Sequence, residues 1–239
     1  MTRAGRILAW DGCINVRDLG GLPLSSGGET AYAVLVRADS LGGLSATGRQ
    51  ALREHGVSLV VDLRAEYECA DDAAEPLPVS VRREPMDPRA EPVAWEWPSM
   101  RDAYLALLHR FRRELARTLT AFGEASGPVA VHCASGRDRT GLVCGMALWL
   151  AGVEPAAIAA DHALSDESLA SRNDAWFASA PDESERARRR RIATPAGHTL
   201  AGVLAEVEHR EGIHAFLLDA GADPTALKRL TMRIRGEPA

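Results

Sequence analysis

The stretch Val129–Gly141, VAVHCASGRDRTG, decides how the rest of the chain is read. A short apolar run ends at His132, and a thiol, two arginines, an aspartate and two glycines follow within nine residues. Behind them comes an uncharged run, GLVCGMALWLAGV (141–153). The apolar run, broken by polar and glycine-containing sequence, reads as a buried strand entering a tight loop. The uncharged run is too short to cross a bilayer and reads as a buried helix. Cys133 therefore stands at the end of a strand and Gly141 in the first turn of a helix.

A loop in that position favours an anion. Unpaired backbone N–H groups and the helix dipole converge there. Gly136 allows several amides to turn inward as a nest, so Ala134, Ser135, Gly136, Arg137 and Asp138 are the expected phosphate cradle. Arg139, six residues after Cys133, closes the loop with a planar two-pronged donor suited to phosphate oxygens. Cysteines at helix N-termini beside arginine are the reactive ones. A thiolate aimed at a phosphoryl group is a nucleophile, which makes phosphocysteine the expected intermediate. Thr140 is expected to donate a hydrogen bond to the sulfur, and His132 to brace the loop through backbone groups.

Working outward, VSLVVDLR (57–64) is a continuous apolar strand of the kind buried on both faces of a parallel sheet. AYAVLVRADSL (31–41) starts with a second β-rich run, and residues 12–24 read as turns around short strands. Between them, 45–56 reads as a helix capped by Ser45 or Thr47 and stopped by Gly56. The prolines between Glu75 and Met100 predict an irregular excursion with one edge strand near Val79–Val81. Apolar residues at helical spacing predict a single helix from Arg101 to Gly123. The remainder, 155–239, reads as helices separated by Pro155, Pro181, Pro195 and Pro224. Strands alternating with helices predict an α/β fold, a mostly parallel central sheet flanked by helices, with a helical C-terminal region.

The chain has 239 residues, enough for one sizeable domain, and a single domain over 1–239 is expected. A net charge of −5 gives no overall reason to expect nucleic acid. Cys13, Cys69, Cys133 and Cys144 form no CxxC pair, which points away from a disulfide or zinc framework and toward a reducing compartment. The histidines show no metal-ligand spacing, so neither metal nor cofactor is expected. The N-terminus lacks a signal-peptide core, and a cytoplasmic protein is the expectation.

His132-Cys133, Gly136 and Arg139-Thr140-Gly141 fit the HCxxGxxRTG signature, and on these residues the chain resembles the cysteine-dependent protein tyrosine and dual-specificity phosphatases. HCASGRDRTG is similar to the HCxxGKDRTG form of a bacterial branch that includes a mycobacterial tyrosine phosphatase. That branch carries an NFRDLGG-like block, matched by Asn15-Val-Arg-Asp-Leu-Gly-Gly21, and RSDSL and VVDLR blocks, matched by Arg37–Leu41 and Val60–Arg64. Its DYxLS element has a counterpart in Asp161–Ser165. Arg137 departs from the branch, which usually has lysine there, and is expected to add positive charge toward a second anionic group; Val16 replaces an aromatic residue.

The resemblance implies a metal-free phosphatase acting on phosphotyrosine, and extends the expected substrates to phosphoserine, phosphothreonine and phosphoinositides. It also implies a general acid to protonate the leaving oxygen. The superfamily commonly supplies it from an upstream loop, where Asp87 stands. The bacterial branch has an aspartate inside the signature, where Asp138 stands. Asp138 is the preferred reading and Asp87 the rival. Asp62, third, is expected to pair with an arginine beneath the site, and Arg64 to support the loop with it. Two other classes compete: a phospho-ligand binding module without turnover, and a rhodanese-type sulfur transferase. Arg139-Thr140-Gly141 disfavours the second. The run Arg186–Arg191 reads as a solvated helix face, and lidded relatives suggest a cover over the site from 165–195.

Overall fold

The apolar runs of the sequence pair side by side, with the quoted stretch at their centre. The structure is a computed structural model that describes residues 5–72, 76–87, 97–194 and 196–238. Among these residues β1 (Arg17–Asp18), β2 (Leu35–Ala38), β3 (Leu59–Asp62), β4 (Ser80–Arg83) and β5 (Val129–His132) form one sheet, ordered β1-β2-β5-β3-β4. All neighbours are parallel except β1 and β2. The α/β class and the mostly parallel sheet are as the sequence predicts.

Burial on both faces explains why the central strands carry no alternating polar residues. Val129 and Val131 of β5 join Val61 and Leu35 in one apolar cluster, while Ala130 joins Val36 and Val60 in the other. The second cluster is covered by Leu52 of α1 (Ala46–Glu54), whose N-cap Ser45 accepts from the Gly48 amide at 3.1 Å. The first is covered by α4 (Asp138–Leu150), in which Leu142, Val143, Met146 and Leu148 are all buried. Each such side chain contributes about 1.5–3 kcal/mol on leaving water.

The register then places the site. Ala38 of β2 and Asp62 of β3 both pair with His132 of β5. The segments leaving these three strands therefore emerge level with one another, at the carboxyl edge where open α/β sheets bind ligands.

The single helix expected from Arg101 to Gly123 is two helices, α2 (Met100–Arg110) and α3 (Arg112–Glu124), broken at Phe111. Both helices touch α4, and the break lets them reach different further partners: α2 packs on α8 (Gly197–Arg210), and α3 on α9 (Ile213–Asp219) and α10 (Pro224–Arg235). Phe111 buries its ring at the junction, so the apolar spacing runs through without a glycine or proline to mark it. The edge strand is found at Ser80–Arg83. Pro155 and Pro224 open α5 (Pro155–Ser168) and α10, where a missing N–H costs nothing. Pro181 precedes Asp182, the N-cap of α7 (Glu183–Ile192), and α6 (Ala170–Ala178) lies before it. Pro195, Pro88 and Pro92 lie outside the described residues. Among the described residues no helix is long and apolar enough to cross a membrane.

Candidate active site

Between β5 and α4 the chain turns through Gly136 at φ +67°, and a Cβ there would meet the Ala38 carbonyl at 2.3 Å. Only glycine suits that position. The loop carbonyls are held from behind: Ser40 N–H donates to Ala134 O at 3.3 Å, and Asn15 Nδ2 to Ser135 O at 2.9 Å. Arg37 donates to Gly136 O at 2.8 Å and Arg137 O at 3.2 Å. In a planar trans peptide the N–H points opposite its carbonyl. Fixing those carbonyls turns the amides of Ser135, Gly136, Arg137 and Asp138 the other way, an arrangement suited to an anion.

A buried ionic cluster holds the brace itself. Arg17 Nε and Arg37 Nη1 each lie 3.0 Å from the Asp161 carboxylate, and Arg6 also bonds it. Ser165 Oγ accepts from Arg17 at 3.0 Å, and Asn15 Oδ1 at 2.7 Å. Burial alone would raise the Asp161 carboxyl, but the three guanidinium groups outweigh it and hold the carboxyl well below its ordinary range. Burial brings Arg17 down to about 10 despite Asp161. The N-terminal block, the Arg37 block and the Asp161–Ser165 element, far apart in sequence, thus meet behind one loop.

Arg139 is buried at the floor, and both prongs of its fork are engaged. Nη1 lies 2.7 Å from Glu68 Oε2 and Nη2 2.6 Å from Glu68 Oε1, a bidentate pair. Burial would lower this guanidinium, but the facing Cys133 and Glu68 hold it above its ordinary value. Glu68 sits in the 3-10 turn Glu66–Cys69 after β3 and also accepts from the Ala65 amide at 2.9 Å. The sequence reading missed it. Its only signal was general: a buried arginine requires a carboxylate, and a level register puts the segment after β3 beside the loop.

Asp62 and Arg64 pair at 2.8 Å, as expected, and Arg64 continues to Asp72 at 2.7 Å and to Ser40 Oγ at 2.9 Å. Burial would raise the Asp62 carboxyl, but Arg64 and its amide hold it low. His132 is buried, its Nδ1 3.4 Å from Cys133 O and its Nε2 3.7 Å from Asp62. Burial pulls it down to about 4 against the pull of Asp62, so it is a neutral ring at physiological pH. Thr140 Oγ1 is buried without a hydrogen-bond partner among the described residues, so the expected bond to sulfur is not made.

Asp138 opens α4 and accepts from Tyr104 Oη of α2 at 2.7 Å. That hydroxyl also meets His162 Nε2 at 3.1 Å. Arg137 is buried. Its Nη2 donates to Thr194 O at 2.7 Å and Ile192 O at 3.3 Å, and its Nε lies 3.4 Å from both Asp138 and Asp166. The guanidinium therefore ties the loop to the end of α7. Asp87 does not share the lining of Cys133 and Asp138: Tyr67 Oη donates to it at 3.0 Å, and it follows Met86, whose carbonyl faces Arg139 Nη1 at 3.4 Å. Burial pushes the Cys144 and Cys13 thiols up to about 12. Among the described residues no cluster of three or more His, Cys, Asp or Glu side chains is placed to hold a metal.

Cys133, Ser135, Asp138 and Arg139 line one cavity of about 460 Å³, within the range of small-molecule sites. Its walls are largely apolar, with Trp97, Met100, Leu107 and Ile192 beside Tyr104, and α7 adds Arg188 and Arg191. Such an enclosure can seat an aryl group above a phosphoryl group held at the floor.

A family model described as "Tyrosine phosphatase family" matches residues 8–235. A protein of Nostoc commune named tyrosine-protein phosphatase is 33% identical over 145 residues, which span 56% of this chain and 49% of that protein. The chain thus covers about half the length of that relative. A Cupriavidus necator protein, provisionally given the same name, is 27% identical over 184 residues, 72% of this chain and 67% of the relative. Among solved structures, Pseudomonas aeruginosa TpbA is similar at 18% identity with a TM-score of 0.36, over 72% of this chain and 86% of that one.

Proposed function

The chain belongs to the tyrosine phosphatase family, whose model spans residues 8–235, and from that premise we propose that it hydrolyses phosphotyrosine through a phosphocysteine intermediate. The observation that carries the reading is the cavity in which Cys133, Asp138 and Arg139 share a largely apolar wall.

Cys133 Sγ attacks phosphorus as the bond to the tyrosyl oxygen breaks, and Asp138 gives that oxygen its proton. Water then attacks phosphorus, the P–S bond breaks with the electron pair returning to sulfur, and Asp138 takes back the water's proton. Arg139 and the loop amides hold the equatorial oxygens, where charge gathers in the transition state. Glu68 positions the Arg139 fork for that task. Asp138 is favoured over Asp87 because it shares the cavity with Cys133 and its carboxyl is fixed by Tyr104. The single domain expected over 1–239 is retained as part of the proposal.

Phosphotyrosine is favoured over phosphoserine, phosphothreonine and phosphoinositides because the apolar wall rewards burial of an aryl ring. The competing module that binds phosphorylated partners without turnover keeps the same cradle and differs only in rate. Phosphate release from phosphotyrosine, phosphoserine and phosphoinositide substrates by wild type and Cys133→Ser, with EDTA present, separates these readings. The proposal requires release by wild type, fastest from phosphotyrosine, and loss in the variant. Binding without release by wild type would establish the module instead.

A further inference from the structure

The cavity runs from a buried floor to an exposed, cationic rim. Cys133 is 1% exposed, whereas the Arg188 side chain is 43% exposed and Arg191 is also exposed. These two arginines, three residues apart on α7, lie on one face of the helix and both line the cavity.

Except for Arg191, the arginines of α7 all have a glutamate partner within the helix, four of them sharing two carboxylates. Arg186 and Arg190 face Glu183 at 2.5 and 3.9 Å, and Arg188 and Arg189 share Glu185 at 3.1 and 2.9 Å. Across the cavity, Arg101 pairs with Glu206 at 2.5 Å. Arg191 has no ion pair or hydrogen bond of its side chain among the described residues. Among the described residues the rim therefore carries one uncommitted guanidinium. Its position relative to the loop is fixed, because Arg137 bonds the carbonyls of Ile192 and Thr194 directly after it.

We infer that Arg191, backed by Arg188, forms a second anion subsite that binds the carboxylate of an acidic residue flanking the phosphotyrosine, so that acidic phosphotyrosyl peptides are the preferred substrates. The inference rests on the proposed phosphotyrosine activity and adds what it leaves open, the sequence around the phosphate. One uncommitted charge matches one carboxylate. A polyphosphorylated inositol ring would bring several charges to a rim whose other arginines already have partners, and its hydroxyls to an apolar wall.

The test is the ratio of kcat/KM for a phosphotyrosyl peptide with flanking glutamates to that for its glutamine counterpart, a ratio independent of the folded fraction. Wild type is expected to favour the acidic peptide by about two- to five-fold at low salt, the range of an exposed ion pair. The preference should fall toward unity in Arg191→Gln and above 0.5 M salt, which is roughly where screening reaches a few ångströms. It should persist in Arg191→Lys, and in Arg190→Gln, which changes the helix charge outside the cavity. Binding of the two peptides to Cys133→Ser gives the same comparison without turnover, so an inactive wild type would sink the proposed activity and still report on the subsite. Equal use of both peptides by wild type, or an acidic preference that survives Arg191→Gln, would overturn the inference and leave Arg191 as a cation complementing the end of α7. A larger Arg191-dependent gain for a phosphoinositide than for the acidic peptide would also overturn it.

Discussion

The carboxylates of Glu68 and Asp138 have separate tasks. Glu68 grips Arg139 with both oxygens, whereas Asp138 stands in the cavity with a fixed hydrogen bond from Tyr104. Asp138→Asn should slow hydrolysis of phenyl phosphate by about 10²- to 10⁴-fold, the usual contribution of a general acid. A dinitrophenyl ester, whose leaving group needs no proton, should lose far less. Asp87→Asn should leave that leaving-group dependence alone, and the opposite pattern would transfer the role to Asp87. Glu68→Gln keeps the shape and removes the charge that orients Arg139. It is expected to lower kcat/KM by about ten-fold or more, since a neutral acceptor forms the weaker, less directional pair. Unchanged kinetics would remove Glu68 from the site's positioning groups.

At the level of elements, the loop and the long helices depend on a few contacts that exclude a methyl group. A Cβ on Gly123 of α3 would lie 1.9 Å from the Ala226 carbonyl of α10. Gly123→Ala should therefore cost about 1–3 kcal/mol of stability, read by denaturant unfolding, with activity per folded molecule retained. Gly136→Ala should abolish activity, because it meets both a positive φ and the Ala38 carbonyl. The strand, loop and helix from Val129 onward were legible because local pattern and tertiary role coincide there. The break at Phe111 was not, since the apolar spacing continues through it and only the packing of α2 on α8 and of α3 on α9 and α10 requires it. Glu68 was hidden for a related reason: its role is set by strand register, which one sequence does not display. The sequence blocks containing Arg17, Arg37 and Asp161 were visible as blocks, but their convergence behind the loop carbonyls is a property of the fold. Arg137, expected to face an anion, instead bonds Ile192 and Thr194, an outcome governed by a helix more than fifty residues further on.

For the molecule as a whole, concentrating buried ionic and imidazole groups behind one loop makes stability depend on pH. His132 titrates at about 4 when folded, against 6.5 ordinarily. Between those values the unfolded chain holds a proton that the folded chain refuses, so stability is lost as pH falls from 6.5 toward 4, by about 1.4 kcal/mol per unit for this group. His162, held well below its ordinary value by burial and neighbouring arginines, acts in the same direction. Asp161, also held low, adds its loss as pH falls below the ordinary carboxylate range. Asp166, raised by burial, opposes them in part. Unfolding free energies at pH 7 and pH 5 should therefore differ more for wild type than for His132→Asn, and equal differences would show that His132 takes no part.

The central claim is chemical, that phosphate passes through Cys133. Wild-type protein quenched in acid during turnover of an aryl phosphate, digested and weighed by mass spectrometry, tests it most directly. The account predicts a phosphoryl group on the Cys133 peptide, absent without substrate and absent in Cys133→Ser. Phosphate release at an undiminished rate by Cys133→Ser, or a phosphoryl group on any other residue, would contradict it.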